Sequence, residues 1–158
     1  IKMEGGSEIL PTVQAIIQAG IPVMAHLGLT PQSIHQFGGY GLRAKETQEA
    51  EKLFKDACLL DEAGCFGITL EKVPAALAQR VTAAVSCPTI GIGAGCDTDG
   101  QVLVYADALG MTHGFKPKFL RHFADLEGCM TQGVQDYIQA VKNVSFPNDN
   151  ERYKTNRI

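Results

Sequence analysis

The chain has 158 residues and a net charge of −3 with acidic and basic side chains intermixed, the profile of an ordinary globular chain forming one compact domain. No apolar run approaches the ~20 residues that cross a bilayer, no secretory leader is expected, and no Lys/Arg block offers a nucleic-acid surface. Neither nucleic acid nor membrane is therefore expected as a partner.

The opening "IKMEGG" has the form of a strand end running into a turn, so further chain is expected upstream of Ile1. Ser7 is placed to cap a helix with Val13, Ile16 and Ile17 on one face, Pro11 in its first turn and Gly20 at its end. "IPVMAHLGL" reads as a short strand. The polar, glycine-rich stretch from Thr30 to Glu46 is too long for a simple connector and reads as a functional loop. Thr47 starts a helix with Ala50, Leu53, Phe54, Ala57 and Leu60 on one face, closed by Gly64.

The apolar run Phe66 to Leu70 then reads as a strand that stops at Glu71, and Pro74 begins a helix with Leu77, Ala78, Val81 and Val85 on one face. "PTIGIGAG" reads as the next strand and "DALGM" as one more. Phe119, Phe123, Leu126, Met130, Val134, Tyr137 and Val141 recur at helical spacing, and the tail 148–158 is polar and expected to fray. Strand, loop and helix alternate throughout, which predicts an α/β chain of parallel strands buried on both faces.

In such folds the loops at the C-terminal strand ends gather on one face and carry the site. Lys2 and Glu4 stand at the first strand end, His26 lies in the second strand, Glu71 ends the third, and "GIGAG" ends the fourth. All are expected to converge on one pocket. Taken singly, Glu71 reads as a solvated loop start, His26 as a hydrogen-bonded core histidine and Lys2 with Glu4 as a surface ion pair. "GIGAG" lacks the spacing of a dinucleotide loop, and Asp97 and Asp99 read as helix caps before metal ligands. His35, His113 and His122 stay unassigned. The five cysteines, Cys58, Cys65, Cys87, Cys96 and Cys129, form no Cys-x-x-Cys or Cys/His pair. They read as reduced thiols of a cytoplasmic chain, mostly small core fillers.

"KMEGG", "HLGLTPQS", "FGGY", "LEKVP", "PTIGIGAG" and "TDGQVLV", in this order and at these separations, resemble the 3-methyl-2-oxobutanoate (ketopantoate) hydroxymethyltransferase family over residues 1 to 147. The resemblance implies a (β/α)8 TIM barrel of the phosphoenolpyruvate/pyruvate superfamily. A barrel takes ~250 residues, so 1–147 is expected to run from the end of strand four through the last helix. It implies transfer of a hydroxymethyl group from 5,10-methylenetetrahydrofolate to 3-methyl-2-oxobutanoate, giving 2-dehydropantoate on the way to pantothenate. By the same resemblance Glu71 is the general base, Lys2 holds the substrate, His26 lies beside it and Glu4 serves the Mg2+ site. The family's two metal-binding aspartates have no counterpart here, so the chain alone is expected to build no complete magnesium site and to be a poor enzyme. The resemblance also implies a homo-oligomer. Ala25, the "GGYGLRAK" continuation and Lys72 depart from the usual family residues and bear on loop shape and folate fit. Two other readings stand beside this one: a magnesium-dependent carbon–carbon lyase or mutase of the same superfamily, and an inactive assembly piece.

Overall fold

The computed structural model describes residues 1–112, 114 and 116–153; His113, left unassigned above, lies outside them, as do the last five residues of the tail. Backbone contacts group the chain into two units, Ile1–Leu103 and the part from Val104 onward.

The first unit holds five parallel strands in chain order: β1 (Lys2–Glu4), β2 (Met24–Gly28), β3 (Gly67–Glu71), β4 (Thr89–Ile92) and β5 (Gly100–Gln101). Helices α1 (Leu10–Gln18), α3 (Thr47–Glu62) and α4 (Ala75–Thr82) return the chain between successive strands, and a short helix α2 (Ile34–Phe37) lies in the long loop after β2. Parallel strands in sequential order, joined through helices, are the arrangement of a (β/α)8 barrel, present here in part.

Side chains alternate across the strands, and the register decides their use. Met3, Ala25, Leu27, Ile68 and Leu70 share one face and pack with Val13 of α1, Leu53, Ala57 and Leu60 of α3, and Leu77, Ala78 and Val81 of α4. Each large aliphatic buried there contributes about 1.5–3 kcal/mol, so this face holds the sheet to its helices. The other face carries Lys2, Glu4, His26, Thr69 and Glu71.

Ser7 does not cap α1. It opens a 3-10 turn, Ser7–Ile9, and its N–H donates to Asp56 Oδ1 at 3.1 Å. Pro11 does occupy the first turn of α1, and Gly20 ends that segment with φ +82. Asp99 is no helix cap either, because it accepts from the N–H and hydroxyl of Thr89 at 2.8 and 3.0 Å and so ties the chain before β5 to β4.

In the second unit, the segment expected as a strand at "DALGM" lies instead in the short helix α5 (Tyr105–Ala108) and the turn after it. The last helix, α6 (Leu126–Lys142), begins later than the apolar spacing suggests. Asp125 caps it by accepting the Gly128 N–H at 3.1 Å, which leaves Phe119 and Phe123 outside. Tyr137 of α6 meets Phe146 edge-on, with ring centroids 5.6 Å apart.

Candidate functional site

Three neighbouring strands end side by side, and the register brings Glu4 opposite His26 and Glu71 opposite Gly28. His26 therefore stands between two carboxylates: its Nε2 lies 3.1 Å from Glu71 Oε2 and its Nδ1 3.8 Å from Glu4 Oε1. The imidazole is 1% exposed, whereas the Glu4 and Glu71 side chains keep 20% and 17% of their surface in solvent. Neither ring nitrogen of His26 has a partner in hydrogen-bond geometry. A buried polar group without a well-formed bond is costly, so the contact with Glu71 is what accommodates the ring on this face.

Local backbone geometry fixes Glu71. Gly28, with φ +92, lets β2 pass so close that Leu29 N–H donates to the Glu71 carbonyl at 2.8 Å. Lys72 follows in a left-handed conformation, φ +47, a strained choice for a residue with a side chain. Its N–H binds Ile92 O at 2.9 Å, and its carbonyl accepts the Arg43 N–H at 2.8 Å. The Lys72 ammonium also reaches the Tyr40 carbonyl. The loop read above as functional is thus laced to the residue that follows Glu71.

Glu4 and His26 line a cavity of about 420 Å3 together with Thr30, Ser33, Arg43 and Lys52. Glu4 Oε2 accepts the Gln32 N–H at 2.9 Å from the loop above it. Arg43 pairs with Glu49 and stacks over the Phe37 ring, 3.8 Å from its centroid, so α2 and the loop form one wall. The expectation of one shared pocket is met by Glu4 and His26. Glu71 touches His26 without lining that cavity, and Lys2 stands on the same sheet face at the exposed start of β1, outside the lining.

Two contributors escaped the sequence reading. Gly28 stood within the motif "HLGLTPQS" without any sign of the close approach it permits. Asp56 resembled one more charge on a helix surface, yet it is 4% exposed and part of the cavity wall.

The fit to a magnesium ion is limited. Among the described residues no three His, Cys, Asp or Glu side chains gather to hold a metal, whereas Mg2+ takes six ligands. Glu4, with Oε1 directed toward His26 and Oε2 engaged by one N–H, fits as a single oxygen ligand.

The profile of the ketopantoate hydroxymethyltransferase family matches residues 1–149. Relatives named 3-methyl-2-oxobutanoate hydroxymethyltransferase include those of Bacteroides fragilis, 60% identical, and Flavobacterium johnsoniae, 55% identical, each over 97% of this chain and 56% of its own. An aldolase structure from Escherichia coli K12 aligns with a TM-score of 0.37 and 18% identity over 68% of this chain and 45% of that one, too partial a likeness to add to the fold argument. The chain spans about half the length of the curated relatives it matches. With its ordered motifs and parallel strand ends bearing Glu4, His26 and Glu71, the chain belongs to the ketopantoate hydroxymethyltransferase family.

Proposed function

We propose that this chain carries part of the active site of a hydroxymethyltransferase acting on 3-methyl-2-oxobutanoate, with 5,10-methylenetetrahydrofolate as one-carbon donor and water as the source of the hydroxyl oxygen. The observation that carries the reading is the buried His26 held between Glu71 and Glu4 at three adjacent strand ends.

Glu71 is the general base. Its carboxylate takes the proton from carbon 3 of the oxo acid; water adds to the folate methylene carbon, whose two carbon–nitrogen bonds break as the water protons pass to the nitrogens, and the enolate attacks the formaldehyde unit so released, its oxygen taking up the proton that Glu71 removed. His26 Nε2, 3.1 Å from Glu71 Oε2, is the neighbouring site at which that proton can be held. Lys2, on the same sheet face, offers a compact positive charge for the substrate carboxylate. Glu4 would give one oxygen to a Mg2+ ion and, among the described residues, would be the one carboxylate of this site available to it. When bound, that ion acts as a Lewis acid on the enolate oxygen. Five free cysteines support a reducing, cytoplasmic setting.

The test uses a chain of the relatives' full length that carries residues 1–153 of this sequence. Glu71→Gln keeps size and polarity but removes the base. Turnover should fall by roughly 10²–10⁴ while substrate binding survives. Deuterium exchange at carbon 3 of 3-methyl-2-oxobutanoate, without folate, isolates the proton step. Exchange at the unmodified rate in the Gln variant would remove Glu71 from its role.

A further inference from the structure

The turn that follows Glu4 is held by carboxylates from two elements. Asp56 Oδ1, on α3, accepts the Ser7 N–H at 3.1 Å, and Glu8 Oε1 accepts the Gly6 N–H at 3.0 Å. Lys52 joins the two, its ammonium reaching Asp56 Oδ2 and lying 3.1 Å from Glu8 Oε2. Gly5 N–H completes the turn by donating to the His26 carbonyl at 3.3 Å.

The packing leaves no slack. A Cβ on Gly6 would lie 2.0 Å from Asp56 Oδ2, so the second glycine of "KMEGG" is the space the carboxylate occupies. A helix-surface aspartate serving solubility would face water. Asp56 is 4% exposed instead, and burying a carboxylate costs several kcal/mol unless hydrogen bonds and a counter-charge offset it. Glu8 is held below its ordinary carboxylate range, first by the Gly6 N–H, against burial and with help from Lys52. Asp56, Lys52, Glu8, Glu4 and His26 all line one cavity.

We propose that Asp56 is a positioning residue for Glu4: by fixing the turn Gly5–Ser7 it sets where the Glu4 carboxylate stands between His26 and the Gln32 N–H. The functional consequence rests on the reading of Glu4 as a metal-side carboxylate, but the structural one does not. Groups that orient a ligand from behind are worth about 10–100-fold in metal affinity.

Two variants test it. Asp56→Ala removes the acceptor of the Ser7 N–H, and Asp56→Asn keeps an acceptor oxygen while losing the charge. In the 158-residue chain, amide hydrogen exchange is followed by NMR at Ser7 and at Gln32, whose N–H bonds Glu4 and not Asp56. Asp56→Ala should speed exchange at both amides, and Asp56→Asn should restore Gln32. Release of Ser7 with Gln32 unchanged would overturn the proposal, because Asp56 would then hold only its own turn. If Asp56→Ala does not fold, Gly6→Ala, which drives a methyl group into Oδ2, is read at the same two amides. In the relative-length enzyme, Asp56→Ala should raise the Mg2+ concentration for half-maximal turnover about tenfold, with kcat at saturating metal changed less than about threefold. Should the unmodified enzyme fail to exchange the carbon 3 proton, the proposed function falls while the amide result still judges Asp56.

Discussion

Gly28 faces the main-chain oxygen of Glu71 so closely that a Cβ built on it would lie 2.2 Å from that oxygen. The same Cβ would come 2.7 Å from Val73 Cγ1, and the backbone there has φ +92. Gly28→Ala must therefore push β3 away from β2 or abandon the Leu29 bond to Glu71. The expected cost is at least about 2 kcal/mol, from left-handed strain and the displaced contact together. Equilibrium unfolding in urea measures it, and a midpoint equal to that of the unmodified chain would contradict this account of Glu71 placement.

His26 separates a structural from a functional role. Its ring is buried with no well-formed hydrogen bond but lies 3.1 Å from Glu71 Oε2, so His26→Leu trades that contact for apolar burial and should change stability by no more than about 1 kcal/mol. In the relative-length enzyme the same variant should slow carbon 3 exchange about 10²-fold, since the group beside the proposed base is gone. Loss of stability with exchange intact would make His26 a core histidine, as its residue type alone suggests.

Asp61 predicts the acid limb of stability. Burial pushes its carboxyl up, but the N–H groups of Ser86 and Cys87 and their side chains lower it more, to a net position below its ordinary 3.8. A carboxyl whose pKa is lower in the folded state contributes stability that is complete above about pH 5 and lost as pH falls through the unfolded and then the folded value. Asp61→Asn should cost about 1–2 kcal/mol at pH 7, and the cost should shrink as pH falls below 3.8, where the unfolded carboxyl gains its proton first. A difference that stays constant over that fall in pH would show that charge is not what Asp61 supplies.

The thiols should sort by environment. Cys87 is pushed up to about 12, chiefly by burial and then by Asp61, and Cys65 is raised by burial and the same aspartate. Cys96 and Cys129 are exposed. At pH 8, iodoacetamide followed by peptide mass spectrometry should find Cys96 and Cys129 alkylated well before Cys65 and Cys87, because the thiolate is the reacting form. Early labelling of Cys87 would mean that the link from α4 to β4 opens in solution.

Much of this molecule is legible from spacing. The α3 face of Leu53, Ala57 and Leu60 and the buried run of β3 follow from periodicity, and Glu71 stands where that run ends. The glycines of "PTIGIGAG" were legible as a signal but not in their purpose. Gly91 makes room for the Thr98 hydroxyl, 2.6 Å from where its Cβ would be, and Gly95 for Ala75 at 2.5 Å. Gly91 and Gly95 serve close packing of chain on chain, a purpose that no local pattern announces. Asp56 and Ser7 were illegible because their bond joins residues 49 positions apart. The short strand β5 (Gly100–Gln101) has no apolar run, and its place is set by the ladder to β4 and by Asp99.

The two faces of β2 have opposite chemistry, with Ala25 and Leu27 on one and His26 on the other. A slip of one residue would exchange them, turning aliphatic side chains toward the cavity and forcing an imidazole into the layer between sheet and helices. A chain with that error would lose aliphatic packing against its helices and line the cavity with apolar groups instead. One register thus serves two ends, since the pairing that seats the sheet on its helices is also the pairing that sets His26 beside Glu71 and Glu4.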